Sequence, residues 1–131
     1  MVIDTSAMVA ILLREADAAR FDAALAEPDE HLMSAVTWVE LAIVIESRKG
    51  ARGRADLKHL MQDAEISIVA VTPDQAEMAI AGFRRFGKGR HPAALNLGDC
   101  FAYALSKASD QPLLFKGGDF AQTDIVPVRV R

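Results

Sequence analysis

The chain has 131 residues, a length that suits one compact domain over residues 1–131. Apolar residues make up 51% of it, too many for a disordered chain, and no apolar run approaches the roughly 18 residues of a membrane span. The net charge of −3, taken alone, argues against a nucleic-acid partner.

The chain opens strand, acid, helix. Val2 and Ile3 are β-branched and apolar and suit a buried strand. Asp4 follows at once, then Thr5, Ser6 and an apolar run over 7–13, for which Ser6 is the predicted N-cap. Residues 17–27 read as a second helix, with Phe21 and Leu25 on one face and Pro28 ending it. His31, Leu32 and Met33 form a short predicted strand. Ser34 caps a strongly apolar helix over 35–49. Gly50 to Gly53 break it, and a polar helix over 54–65 carries Leu57, Leu60 and Met61 on one face.

Residues 66–71 are the clearest strand by β-branched content. Thr72-Pro73-Asp74-Gln75 combines an N-cap, Pro at the first helical position, an acid in the first turn and Gln at the capping-box position. The helix it starts runs to Phe86, and 87–92 form a loop. Asn96-Leu97-Gly98 lead into a helix over 99–109. Residues 112–115 are a strand, and 126–130 a last edge strand, because Pro127 cannot donate to a ladder. Strands alternate with helices, which predicts an α/β fold: a three-layer α/β/α sandwich around a mostly parallel sheet.

Four acids stand out against this layout. Asp4 and Asp119 each follow a strand, where ligand sites of open α/β sheets lie. Glu40 is the only charged residue from Ala35 to Ile45, and it shares a helix face with Thr37. A helix so apolar is expected to be mostly buried, and a buried carboxylate needs a partner. A salt bridge to an arginine is the structural alternative for Glu40. Asp99 begins a helix, where an acid also serves as a cap. Asp119 follows Gly117-Gly118, which is also ordinary turn chemistry. Carboxylates within ~4–6 Å of one another repel by about 4 kcal/mol per close pair at an effective dielectric of about 20. Such a group is stable with shared protons or bound cations, and hard oxygen ligands favour Mg²⁺ or Mn²⁺. The matching chemistry is metal-assisted attack on a phosphodiester.

The cations are not scattered evenly. Arg48, Lys49, Arg52, Arg54 and Lys58 form one cluster, and Arg84, Arg85, Lys88 and Arg90 another. Flanking one cleft, they would make a positive rim around a negative centre; otherwise they are solvated helix ends. Cys100 is the single cysteine, which rules out an internal disulfide and, with no basic-then-apolar leader in view, suits a reducing, cytoplasmic setting. It reads as a small buried residue. His31, His59 and His91 lie apart from every acid pair, so no catalytic histidine is expected. Trp38 reads as core or dimer surface. Lys116 follows a strand and faces either a phosphate or solvent.

The stretches Val-Ile-Asp-Thr-Ser at Asp4, Thr-Trp-Val-Glu-Leu at Glu40, Leu-Asn-Leu-Gly-Asp-Cys-Phe-Ala-Tyr-Ala at Asp99 and Leu-Leu-Phe-Lys-Gly-Gly-Asp-Phe at Asp119 resemble the PIN-domain ribonucleases. The likeness is greatest to the VapC toxins of bacterial type II toxin–antitoxin systems, and it spans essentially the whole chain. It implies an acidic pocket of Asp4, Glu40, Asp99 and Asp119, with Asp4 and Asp99 as the direct metal ligands. Glu40 and Asp119 would complete the site directly or through water, with Asp124 the competitor for the fourth place. The hydroxyl at Thr5 or Ser6 matches the family's small polar residue, which holds water or a ligand carboxylate. The resemblance also implies Mg²⁺ or Mn²⁺ as cofactor and single-stranded or looped RNA as substrate, such as tRNA or rRNA. The products would be 5′-phosphate and 3′-hydroxyl ends. The implied partners are a VapB-type antitoxin that plugs the pocket and a second copy in a homodimer. Two rivals remain: a phospho-receiver domain, whose late lysine Lys116 imitates, and a non-enzymatic binding module on the same fold.

Overall fold

A computed structural model describes residues 1–129. The strands are β1 (Val2–Ile3), β2 (His31–Ser34), β3 (Ile66–Val69) and β4 (Leu113–Leu114). The helices are α1 (Thr5–Leu12), α2 (Ala18–Ala26), α3 (Ala35–Asp63), α4 (Pro73–Phe86) and α5 (Leu97–Ser109), with a 3₁₀ turn at Phe120–Gln122. All strand pairs are parallel, in the order β3-β2-β1-β4. Successive strand residues face opposite sides, and this sorts the core in two. Ile3, Met33 and Leu114 pack under α1, α2 and α3, with Phe21, Leu41, Ile45 and Leu57. Val2, Leu32 and Leu113 pack under α4 and α5, with Phe86, Leu95, Tyr103 and Leu105. The expected three layers are present.

The strand order decides between two expectations. A receiver domain places its first strand between the second and third. Here β1 lies between β2 and β4, so the receiver alternative falls. The chain's direction across the sheet reverses at β1, which puts the switch-point crevice beside the carboxyl ends of β1 and β4. Asp4 and Asp119 follow those ends, and the Asp4 N–H donates to the Leu114 carbonyl at 3.0 Å.

Several elements differ in detail from expectation. Ser6 does not cap α1; Asp4 does, accepting from the Ser6 N–H. Its backbone is still extended (φ −87°, ψ 156°), so the residue that ends the strand also starts the helix. The break expected at Gly50 is real: φ 59° with ψ −145° turns α3 back on itself. Across that bend the Arg54 guanidinium reaches Glu46 at 2.9 Å. The first arm of α3 buries Thr37, Leu41 and Ile45 but leaves Val39 54% and Ile43 61% exposed, so this apolar helix is not buried all round. Only 66–69 of the stretch 66–71 form strand, and β3 is a half-exposed sheet edge. The last expected strand is reduced to a bridge between Leu113 and Pro127. Its end, Val130, lies outside the described residues. Among the described residues no helix is long and apolar enough to cross a membrane.

Candidate active site

Asp4 is buried at the first turn of α1. Its Oδ2 accepts from the Ser6 N–H at 3.0 Å and the Ser6 hydroxyl at 2.6 Å. That hydroxyl in turn accepts from the Lys116 N–H at 2.9 Å, which ties the residues after β4 to the acid after β1. Thr5, the neighbouring residue, donates its hydroxyl to Glu40 Oε1 at 2.8 Å. So both small polar residues hold carboxylates, one each. Glu40 has no arginine partner among the described residues, and the salt-bridge alternative for it falls.

Asp99 sits in a capping box. Asn96 Oδ1 accepts from the Asp99 N–H at 2.8 Å, and Asp99 Oδ2 accepts from the Asn96 N–H at 3.0 Å. Capping is therefore one of its functions. The same carboxyl is pushed up to about 6. Burial is the main cause, and the Asn96 bond opposes it. The charges of Asp4, Glu40 and Asp119 add to it. Asp4 is raised as well, chiefly by burial, against the two Ser6 bonds and with the charge of Glu40. Gly98 brings α3 and α5 together: a Cβ there would overlap Glu40 Oε2 and lie 2.9 Å from its carboxyl carbon. The missing side chain is the seat of Glu40.

Asp99 thus lies in the field of Asp4, Glu40 and Asp119, and Asp4 in that of Glu40. Asp119 follows Gly117 and Gly118, exposed at the start of the 3₁₀ turn, with Phe120 buried behind it against Phe115. Asp124 belongs elsewhere. It pairs with Lys107 at 2.9 Å and Arg85 at 3.3 Å. Burial raises its carboxyl, but the bonds from Lys107 and Tyr103 outweigh this and hold it low.

The donor set fits a divalent cation. It is all hard oxygen, and none of the four carboxylates has a lysine, arginine or histidine partner among the described residues. Two of them resist ionisation where they stand. The ring is open, however: among the described residues, no three acidic, histidine or cysteine side chains converge tightly enough to hold an ion by themselves. Mg²⁺ retains several waters, so it does not require a full cage of protein ligands.

Other candidates lie apart. The His31 Nδ1 is 2.7 Å from the Ala64 carbonyl, His91 Nδ1 accepts from the Ala93 N–H at 3.0 Å, and His59 is exposed. Cys100 is buried, and burial, with the charge of Asp99, raises its thiol. Trp38 is half-buried against the α1–α3 core. Lys116 does not face solvent freely: its ammonium pairs with Asp17 at 2.9 Å and Glu15 at 3.1 Å. The two basic clusters do not share one cleft wall. Lys49 and Arg52 join Arg14 around a hollow of about 360 Å³ at the bend of α3, a helix length from Glu40. Arg84, Arg85, Lys88 and Arg90 lie at the end of α4 and in the loop that leads to Asn96. Sequence reasoning missed Asn96 as the cap that aims Asp99, although Asn-x-x-Asp before an apolar run is its signal. It also missed Gly98, which no local pattern marks, since its use depends on a helix 58 residues away in number.

Residues 1–126 match the model of the PIN domain. Ribonuclease VapC30 of Mycobacterium tuberculosis is 53% identical over 128 residues, covering 98% of both chains. Among solved structures, the fold is like that of M. tuberculosis VapC20, described as a sarcin–ricin loop cleaving toxin. The TM-score is 0.79 at 19% identity, with 98% of each chain covered. It is also like VapBC2 from Rickettsia felis, solved bound to a DNA fragment from the promoter. There the TM-score is 0.76 at 10% identity, over 97% of this chain and 96% of that one. Similarity at the first of these levels, running through both the acid-bearing ends and the middle, has one explanation: the chain belongs to the PIN-domain family.

Proposed function

We propose that this chain is a divalent-metal-dependent endoribonuclease, the toxin of a VapBC-type pair. Residues 1–131 act as one PIN-like unit, with Asp4, Glu40, Asp99 and Asp119 as its acidic site. The observation that carries the reading is Asp99, raised to about 6 by burial and by three neighbouring acids, with no ion-pair partner among the described residues. Relatives named VapC ribonucleases, alike over the whole chain, support the reaction class.

Asp4 and Asp99 are the direct ligands of Mg²⁺ or Mn²⁺, and Glu40 and Asp119 complete the shell directly or through water. The bound ion supplies Lewis acidity, lowering the pKa of water and offsetting charge on the scissile phosphate. The protein does the rest. Ser6 and Thr5 hold Asp4 and Glu40 in place, and the Asn96 backbone N–H, donating to Asp99 Oδ2, fixes the rotamer of Asp99. Glu40 and Asp119 would orient the attacking water at the edge of the site. One of them would accept its single proton as the bond from phosphorus to the 3′ oxygen breaks, and that oxygen would take a proton from solvent. Basic residues of the loop after α4 hold the RNA backbone. A VapB-type antitoxin is the partner, in keeping with solved toxin–antitoxin neighbours. A second copy would cover apolar side chains the chain leaves open, such as Ile80, Phe83 and Leu97.

The test is cleavage of RNA by the purified chain in Mg²⁺, Mn²⁺ or EDTA, with Asp4→Asn and Asp99→Asn beside the wild type. Cleavage should stop in EDTA. Each substitution should lower the rate by more than about 100-fold, beyond the 10–100-fold typical of changes one shell further out. Full activity in EDTA or in either variant would overturn the reading. Growth arrest on expression, relieved by the same substitutions, separates the enzyme from a binding module.

A further inference from the structure

Lys116 is placed where it touches three parts of the site's frame. Its ammonium bonds Asp17 Oδ1 at 2.9 Å and Glu15 Oε1 at 3.1 Å, both in the segment between α1 and α2. Its own N–H donates to the Ser6 hydroxyl, which donates to Asp4. It is also the last side chain before Gly117 and Gly118, beyond which comes Asp119. Gly117 has φ +99°, and neither glycine has any atom within 4 Å of where a Cβ would be. The approach to Asp119 is thus unrestrained by side chains of its own. On its far side Phe120 is anchored in the core. On its near side the anchor is Lys116.

We propose that Glu15, Asp17 and Lys116 form a clamp that sets the separation of Asp4 from Asp119. Lys116 is a positioning residue for divalent-ion binding. This rests on the metal-site reading above. The Lys116 side chain is 35% exposed and those of Glu15 and Asp17 31% and 27%, so the ion pairs contribute little to global stability. Their leverage is on position. With the side chain held by α1–α2, the backbone at 116 cannot drift, and the Ser6 hydroxyl keeps its donor. Freed, the strand end and the glycine turn move together, and Asp4 loses the fixed orientation that Ser6 imposes.

The experiment is Mn²⁺ titration by calorimetry, paired with thermal melts in EDTA, on wild type, Lys116→Met, Lys116→Arg and the double variant Glu15→Gln/Asp17→Asn. Lys116→Met should bind Mn²⁺ on the order of tenfold more weakly, the range for outer-shell partners of a metal ligand. Its metal-free melting temperature should stay within a few degrees of wild type. The double variant should match it, since both remove the same ion pairs, and Lys116→Arg should restore affinity. Unchanged affinity in Lys116→Met and the double variant, with wild type binding normally, overturns the clamp alone. A wild type that binds no Mn²⁺ overturns both the clamp and the metal reading. If Lys116→Met does not fold, the double variant decides by the same criteria, because its two side chains lie at the surface.

Discussion

Asp99 carries two loads that pull against each other. As the third residue of α5 it closes a capping box, which favours an ionised carboxylate at a helix N-terminus. Burial and three like charges favour the protonated form, and they win. A carboxyl raised from 3.8 to about 6 on folding stabilises the folded state below about pH 4, and that contribution is lost as pH rises through 6. Asp4 acts in the same direction. In EDTA, Asp99→Asn should therefore gain melting temperature over wild type as pH rises from 5 to 7.5, while keeping an oxygen to bond Asn96. Wild type should gain more from Mn²⁺ at pH 7.5 than at pH 5. Equal melting differences at both pH values would refute this. Gly98 gives a second prediction. Gly98→Ala adds helix propensity worth about 1 kcal/mol but fills the seat of Glu40. The expected result is an unchanged or higher melting temperature with RNA cleavage reduced on the order of tenfold or more, since small misplacements at a reacting centre are costly.

Elements were legible where their signals are local. Thr72 caps α4 as its sequence indicates, accepting from the Gln75 N–H at 3.1 Å. The bend at Gly50 needed only a glycine pair inside a long helical pattern. Its backbone, at φ 59° and ψ −145°, is a conformation that side chains resist. Gly50→Ala should therefore cost about 1–3 kcal/mol by urea denaturation, with nothing sterically in its way. What was not legible depended on distant partners. The cap of α1 was misread because Ser6 looks like a cap and Asp4 like a ligand, and only the fold shows that Asp4 does the capping while Ser6 supports it. From sequence Lys116 faces either a phosphate or solvent, because its partners Glu15 and Asp17 lie about a hundred residues earlier. The exposed Val39 and Ile43 broke the rule that an apolar helix is buried, since none of the described residues covers that side.

At the scale of the molecule, a net charge of −3 coexists with a proposed polyanionic substrate because charge is segregated. Asp99 lies in the field of Asp4, Glu40 and Asp119, and cations gather at the end of α4 and the bend of α3. Cleavage should weaken steeply with added salt. Substituting Lys88 or Arg90 should lower the salt slope of RNA binding by about one for each phosphate left without its cation, at any sequence. A slope unchanged in both variants would remove that loop from the RNA path. The strand order has one more result. β1, made first, finds its neighbour β4 only after more than a hundred further residues are joined, and the acids it brings together span the same interval. A ribosome that stalls or drops its message midway releases a fragment without Asp99 and Asp119. Such a fragment would not harm the cell that is building it. On the proposed function, activity would begin only after Asp99 and Asp119 have been made and β4 has paired with β1.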